Sequence, residues 1–87
     1  MAHVWVLETF TREDSWCNYD SEVVAVYSKS NYQKARKHFT ELCSDYEDEN
    51  YDIERWHDED GYHFTATEEN YQGCNFNYVG LKKMEVM

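Results

Sequence analysis

Residues 30–46 carry the one extended pattern of an amphipathic helix in this chain, and they constrain the fold more than any other segment. Six apolar side chains follow the spacing of three and four positions that places residues on a single helix face; they are Tyr32, Ala35, Phe39, Leu42, Cys43 and Tyr46. Ser30 and Gln33 fit a capping box, which would satisfy free N–H groups at the helix start. A single helix of this kind needs a sheet on which to bury its apolar face.

Two segments before the helix have the composition of β-strands. The first, HVWVLETF at residues 3–10, begins apolar on both faces and then alternates, which suits a covered strand. The second, EVVAVYS at residues 22–28, is short and β-branched and is expected to pair antiparallel with the first. The polar residues 11–22 between them are interpreted as a connection.

A hairpin is predicted after the helix. NYDIERWH at residues 50–57 and YHFTAT at residues 62–67 alternate in polarity and flank DEDG at residues 58–61. The Asp-Gly pair in that turn tolerates the positive φ that tight hairpins require. Residues 68–75 are interpreted as a second loop.

The final segment, residues 76–86, also has a strand pattern, but its apolar phase shifts before Met84 and predicts a bulge near Lys82. The resulting order is ββαβββ, which predicts a single α+β domain over residues 1–87. We expect an antiparallel sheet of four to five strands with the amphipathic helix packed on one face. Aromatic residues make up 17% of the chain and supply much of the core.

The composition is typical of a cytoplasmic protein. The early apolar run VWVL is too short for a signal peptide, and no window approaches the roughly 20 apolar residues of a membrane span. The cysteines, Cys17, Cys43 and Cys74, are odd in number, which favours free thiols in a reducing compartment. Cys43 falls on the apolar stripe of the helix and is expected in the core.

Negative charge is concentrated in the second half of the chain. Residues 1–37 hold five acidic and five basic residues, whereas residues 38–81 hold twelve acidic residues and one basic residue. Nine of the sixteen residues from Asp45 to Asp60 are Asp or Glu. Two like charges about 4 Å apart in water cost about 1 kcal/mol, so this density lowers the stability of the domain and points to a role other than folding.

We predict that these carboxylates form a ridge on the folded surface. In a strand, Asp52 and Glu54 lie on the same face about 6.6 Å apart, with Ile53 on the other face. Such a ridge is similar to a nucleic-acid backbone and would attract a basic groove, while the aromatic residues among the acids are favoured interface anchors. The predicted partner-binding residues are Asp45, Tyr46, Glu47, Asp48, Glu49, Tyr51, Asp52, Glu54, Trp56, Asp58, Glu59, Asp60, Glu68 and Glu69.

A solvated loop is the alternative interpretation of the acidic segment, because charge runs commonly keep small domains in solution. A docking surface, by contrast, would bind its partner quickly and more weakly as the salt concentration rises. Direct binding of DNA or RNA is not expected, since phosphate binding needs cations and the chain has eight basic residues against eighteen acidic ones.

The turn at residues 57–63 is the candidate for a metal or small-ligand site. The acidic residues 58–60 suit loose binding of a divalent cation, but both key carboxylates of an EF-hand are missing. His57, His63 and Cys74 are ligand types that zinc prefers, although their spacing matches no standard zinc site. We therefore expect no cofactor and no resident metal.

The sequence predicts no catalytic centre. None of the cysteines has the local signature of a nucleophile, and the chain has neither a nucleophile elbow nor a glycine-rich phosphate loop. Acidic residues are so numerous in this sequence that two carboxylates close together do not indicate an acid–base catalytic pair. We therefore expect that the protein is not an enzyme.

A resemblance to short uncharacterised domains of phage and bacterial genomes is carried by VWVLETF, VVAVYSKSNYQKARKHF and YDIERWHDED. Those domains join two strands, a helix rich in Ala, Lys and Arg, and an acidic Tyr/Trp strand, and the resemblance covers residues 3–60. It implies no activity. In size, charge and aromatic content, the chain also resembles the small acidic inhibitors that mimic DNA, of the anti-CRISPR and anti-restriction type.

The resemblance to small acidic inhibitors implies a phage-encoded inhibitor, monomeric or homodimeric, that acts in the host cytoplasm. Its partner would be a basic nucleic-acid-binding protein, such as a nuclease or a CRISPR or restriction effector. Two alternatives stay open. One is a metal- or small-ligand-binding module that uses the 57–63 turn, and the other is a homodimeric structural protein that pairs through an exposed edge strand such as residues 76–86.

Overall fold

A computed structural model describes residues 2–13, 18–47, 50–70 and 73–86. Within those ranges the chain forms one five-stranded antiparallel sheet and one α-helix, which confirms the α+β class. The strands are β1 (Ala2–Glu13), β2 (Asn18–Ser28), β3 (Asp52–His57), β4 (Gly61–Asn70) and β5 (Gly73–Val86), and α1 (Tyr32–Ser44) follows a 3₁₀ turn (Lys29–Asn31). The order of the elements agrees with the predicted ββαβββ pattern.

The strands lie in the order β2-β1-β5-β4-β3, so the last strand of the chain occupies the middle of the sheet. β5 pairs with the full length of β1, from Ala2 opposite Val86 to Glu13 opposite Asn75. Its other side pairs with β4. The prediction that residues 76–86 form an exposed edge is therefore wrong, because both hydrogen-bonding sides of β5 are occupied; the edges are β2 and β3.

Helix α1 covers one face of this sheet and forms the core with it. Ala35 and Cys43 of the helix are buried against Leu7, Phe64 and Leu81 of three adjacent strands. The core position predicted for Cys43 is confirmed, and burial raises the pKa of its thiol to about 12. The small side chain of Ala35 lets the helix backbone approach the sheet closely.

The strands extend further than their sequence pattern predicted. β1 continues to Glu13 and β2 begins at Asn18, so the predicted connection at 11–22 is wrong. In the same way, β4 continues to Asn70 and β5 begins at Gly73, inside the predicted loop at 68–75. Polar side chains occupy these extensions because the helix, with 13 residues, is only about 20 Å long, whereas the molecule is 48 Å long.

The predicted bulge near Lys82 is also wrong. β5 keeps one register with β1 and one register with β4 throughout. The irregularity lies instead in β2, where Leu7 faces Ala25 while Glu8 faces Val23, so Val24 is the extra residue. Val24 turns toward the core as a result.

The capping box predicted at Ser30 does not form. The helix begins at Tyr32, and its N-cap residue is Asn31, whose side chain makes no capping hydrogen bond. The hydroxyl of Ser30 lies 3.2 Å from that of Ser28 instead. The 3₁₀ turn between β2 and the helix places Ser30 one position too early to reach the first helical N–H groups.

Candidate functional site: the open face of the sheet

The sheet face opposite α1 has no covering element among the described residues, and we call it the open face. Side chains alternate between the two faces of a strand, so the neighbours of core residues Leu7, Phe64 and Leu81 point away from the helix. The apolar side chains of the open face are Val4, Val6, Phe10, Val23, Val26, Trp56, Phe76 and Met84.

Several of these apolar side chains are exposed to solvent. Val23 and Val26 are 58% and 59% exposed, Met84 is 53% exposed and Trp56 is 44% exposed. Tyr19, at the far end of β2, is 67% exposed on the same face. An antiparallel sheet that faces water on one side normally carries polar residues there, so the number of exposed apolar residues on this face is unusual.

A cross-strand ion pair neutralises the middle of the open face. Lys82 Nζ lies 2.6 Å from Glu8 Oε1, and this hydrogen bond is the main reason that the pKa of Lys82 is raised. Both side chains are only partly exposed, so the pair is held against the sheet. Asp52 and Glu54, on the β3 side of the open face, make no ion pair with any described residue.

A groove runs along β4 on the open face, with a volume of about 420 Å³. Its floor consists of the short side chains of Thr65 and Thr67. The β3 side chains Asp52, Glu54 and Trp56 form one wall, and Phe76 of β5 stands on the opposite side. The groove exists because β4 carries small residues between two strands that carry large ones.

A buried histidine, His63, lies beside Trp56, which is the groove residue at one end of β3. His63 Nε2 lies 3.0 Å from Asp58 Oδ1, and His63 Nδ1 lies 2.6 Å from the hydroxyl of Tyr78. The indole ring of Trp56 stacks on the imidazole, with ring centroids 5.1 Å apart. Burial raises the pKa of the Tyr78 hydroxyl, so this group stays protonated beside the imidazole.

Gly80 makes this arrangement possible because the Tyr78 ring lies over it. A Cβ at position 80 would overlap the Tyr78 hydroxyl and would come within 2.8 Å of two ring carbons. Gly80 is also the cross-strand neighbour of His63. The missing side chain therefore leaves the space through which Tyr78 reaches the imidazole.

Asp58 ties the histidine to the β3–β4 turn. Its Oδ1 accepts hydrogen bonds from the backbone N–H groups of Asp60 and Gly61, at 2.9 and 3.1 Å, as well as from His63. The hydrogen bond from His63 is the main cause of the lowered pKa of the Asp58 carboxyl, and the two turn N–H groups lower it further. The ionised form of Asp58 thus stabilises the turn.

The lowered pKa of Asp58 predicts a loss of stability in acid. The stabilisation by this carboxylate is fully present above the usual Asp pKa of about 3.9 and disappears as the pH falls through its lower folded value. We expect Asp58→Asn, which cannot titrate, to flatten the acid limb of a plot of melting temperature against pH. Asp60→Asn is the matched control. Equal acid sensitivity in both variants and the parent would contradict this role.

The described acids among the predicted partner-binding residues lie in four places and not along one ridge. Asp45 and Glu47 follow the helix, on its side of the sheet; Asp52 and Glu54 lie on the open face of β3; and Asp58, Glu59 and Asp60 lie in the turn after β3. Glu68 lies on the helix-side face of β4. The reversal of the chain between α1 and β3 separates the first group from the second. Asp48 and Glu49 lie outside the described residues, as does the side chain of Glu69.

The aromatic residues of the acidic segment divide in the same way. Tyr46 contacts Tyr51 and Phe64, with centroid distances of 6.0 and 6.4 Å, and packs against the core instead of projecting as an anchor. Trp56 lies on the open face, where it remains partly exposed. Of the predicted aromatic anchors, Trp56 alone is therefore placed beside the acids of the open face.

The two histidines proposed as metal ligands, His57 and His63, do not lie together. His57 faces Tyr62, and His63 faces Trp56, so the two histidines point to opposite faces of the sheet. Asp58 is already occupied by the turn and by His63. Within the described residues, no group of three or more His, Cys, Asp or Glu side chains is placed to hold a metal ion.

Sequence reasoning missed Thr65, Thr67, Phe76 and Tyr78 as members of the site. The alternation of YHFTAT did contain a signal, because His63, Thr65 and Thr67 share one face while Phe64 and Ala66 share the other. Their neighbours in β5 depend on strand order, which the local pattern does not reveal.

Comparison with family models, curated proteins and solved structures yielded no match. No helix in the described part of the chain is long and apolar enough to cross a bilayer. The fold and the site thus define a class in structural terms: a small α+β domain with an uncovered apolar sheet face and an acidic margin.

Proposed function

We propose that this protein is a binding domain that inhibits a basic nucleic-acid-binding protein by docking through the open face. The observation that carries the proposal is the exposed apolar surface of the open face together with the unpaired carboxylates Asp52 and Glu54 at its β3 margin. Protein interfaces commonly join an apolar centre to a polar rim. An acidic rim selects a partner of opposite charge.

The distribution of charge orients the partner. Lys34 and Lys37 are exposed on the helix side, and Lys29 precedes the helix on the same side. A basic partner is therefore repelled by the first half of the helix and attracted to the β3 margin of the open face. A basic partner therefore remains the proposed one. Its contact surface, however, is the open face and not the whole acidic segment.

A second copy of this chain is a less favourable occupant of the open face. Each chain has a formal net charge of −10. Stacking two open faces would bring the carboxylates of both margins near each other, and pairing two β2 edges would oppose Asp20 and Glu22 with their counterparts. Like charges in an interface cost several kcal/mol, which disfavours self-association.

The buried histidine supports binding rather than catalysis. Both ring nitrogens of His63 already have hydrogen-bond partners, and Trp56 covers the ring. A tyrosine whose pKa is raised is a weak nucleophile, so Tyr78 is poorly suited to attack a substrate. The network holds the groove wall in place, and we infer a positioning role for it.

Side-chain footprinting with hydroxyl radicals tests the docking face. Proteins captured from a bacterial lysate at low salt are eluted with a DNA or RNA competitor, and one purified basic protein is returned to the complex. We expect Tyr19, Trp56 and Met84 to lose reactivity in the complex, while Tyr32 and Tyr51 on the helix side keep theirs. Protection of the helix side alone, or failure to capture a basic protein that nucleic acid displaces, would contradict the proposal.

A further inference from the structure

The geometry of the groove along β4 points to a guanidinium-binding site, and we infer that an arginine side chain of the partner occupies it. The inference rests on the proposed function, since it names the chemistry that the partner presents to the open face. The inference nevertheless depends only on residues of one groove, so it can be tested without the partner.

The dimensions of the groove suit one long side chain. Its volume of about 420 Å³ lies at the lower end of the range of ligand pockets, about 300–1,000 Å³. It is open to solvent above and closed below by Thr65 and Thr67. A side chain that lies along β4 would contact both walls at once.

Two carboxylates on the β3 wall supply the charge. Asp52 and Glu54 are two residues apart in one strand, so both point into the same side of the groove. No described cation pairs with either of them. The nearest cation in sequence, Arg55, points to the helix side, where its Nη2 lies 2.6 Å from Glu47 Oε1.

A threonine hydroxyl on the groove floor also has no hydrogen-bond partner within the described part of the chain. Thr65 is only 8% exposed and lines the groove, yet its side chain makes no hydrogen bond within the described residues. The hydroxyl is therefore free to bond to water or to a polar group that enters the groove. An N–H group of a bound cation could donate to it.

Aromatic rings complete the site and favour guanidinium over ammonium. Trp56 and Phe76 lie on opposite sides of the groove. A guanidinium group is planar, stacks on aromatic faces and binds carboxylates with two parallel hydrogen bonds, whereas an ammonium group is a compact and strongly hydrated charge. The combination of flanking rings, paired carboxylates and a hydroxyl acceptor therefore matches an arginine side chain.

The test uses a short arginine-rich peptide and a lysine-rich peptide of equal length and charge. Binding is followed by the NMR shift of the Trp56 indole N–H in the full chain. We expect the arginine peptide to shift this signal and to bind at least about fivefold more tightly than the lysine peptide. Equal affinity of the two peptides, or an unshifted Trp56 signal, would overturn the inference.

Matched variants separate a built site from general attraction. Asp52→Asn/Glu54→Gln removes both groove carboxylates, and Glu41→Gln/Asp45→Asn removes the same charge at the end of the helix. We expect the first pair to weaken arginine-peptide binding about tenfold or more, and the second to weaken it less than about twofold. Equal weakening by both pairs would overturn the inference.

Thr65→Val tests the floor of the groove through stability as well as binding. The hydroxyl has no partner in the described structure, so its loss is expected to leave the melting temperature unchanged or raised while the peptide binds more weakly. A lower melting temperature with unchanged binding would assign Thr65 a purely structural role and overturn its part in the site.

The outcomes for the groove and for the proposed function are distinguishable. If the arginine peptide binds in the groove while a captured basic protein leaves Tyr19 and Met84 reactive, the proposed function fails and the groove inference stands. If the protein protects the open face but the arginine peptide binds Asp52→Asn/Glu54→Gln as tightly as the parent, the groove inference alone fails.

Discussion

The Gly61→Ala variant is expected to lose a large part of the stability of the domain. Gly61 has φ of 147°, which residues with a side chain rarely adopt, and a Cβ there would overlap the backbone carbonyl oxygen of Leu81. Leu81 belongs to the central strand β5 and is fully buried, so it cannot move aside without opening the sheet. We expect the variant to lose about 4 kcal/mol or more of an unfolding free energy that is roughly 5–10 kcal/mol for a domain of this size.

Urea unfolding followed by circular dichroism measures this loss, and Asp60→Ala is the control. Position 60 contributes its backbone carbonyl, which accepts a hydrogen bond from the Lys83 N–H at 2.7 Å, and that contact survives the substitution. We expect Asp60→Ala to change stability by less than about 1 kcal/mol. A Gly61→Ala protein with a near-parental unfolding midpoint would show that the turn is not the constraint described here.

The helix and the core could be predicted because their signal is local. The spacing of Ala35, Phe39 and Cys43 fixes one apolar helix face wherever the helix docks. Predicted and observed helix ranges differ only at the ends, 30–46 against Tyr32–Ser44. The alternation that placed Asp52 and Glu54 opposite Ile53 is likewise a property of a single strand, and the pairing of β3 with β4 agrees with it.

The false bulge near Lys82 shows where local reasoning fails. In β5, Val79 and Leu81 point to the helix side, whereas Tyr78 and Met84 point to the open face. A strand that is apolar on both faces has apolar residues at odd and at even positions, so its sequence no longer alternates. The change from one set of positions to the other looks like a bulge in the sequence pattern. The apolar residues on the second face of β5 form part of the open face.

The division of the acidic segment could not be predicted because it depends on where the chain reverses. The segment between α1 and β3 decides on which side of the sheet Asp45 and Asp52 lie, and its sequence carries no pattern that fixes the direction of the chain. The groove depends on strand order as well, since Thr65 and Phe76 are distant in sequence and become neighbours only when β4 pairs with β5.

Reversing the charge of the β3 margin is expected to abolish partner binding. Asp52→Lys/Glu54→Lys would replace two unpaired carboxylates by two cations, so a basic partner would meet repulsion where it had met attraction. We expect affinity for the basic partner to fall about a hundredfold or more, since each reversed charge at an interface changes binding by more than 1 kcal/mol. Both side chains are exposed at a sheet edge, so the fold should be retained.

The control carries the same change of net charge at a different place. Glu41→Lys/Asp45→Lys adds four units of charge, as the first variant does, but on the helix side, where both residues are exposed. A partner that senses only the net charge would respond equally to both variants. A partner seated on the open face would respond mainly to the first.

Titration of the basic partner into these two variants, by calorimetry at fixed low salt, tests the central claim most directly. Docking on the open face predicts that Asp52→Lys/Glu54→Lys loses binding, while Glu41→Lys/Asp45→Lys keeps an affinity within about fivefold of the parent. Equal loss in the two variants, or a greater loss in the helix-side variant, would contradict the open face as the binding surface.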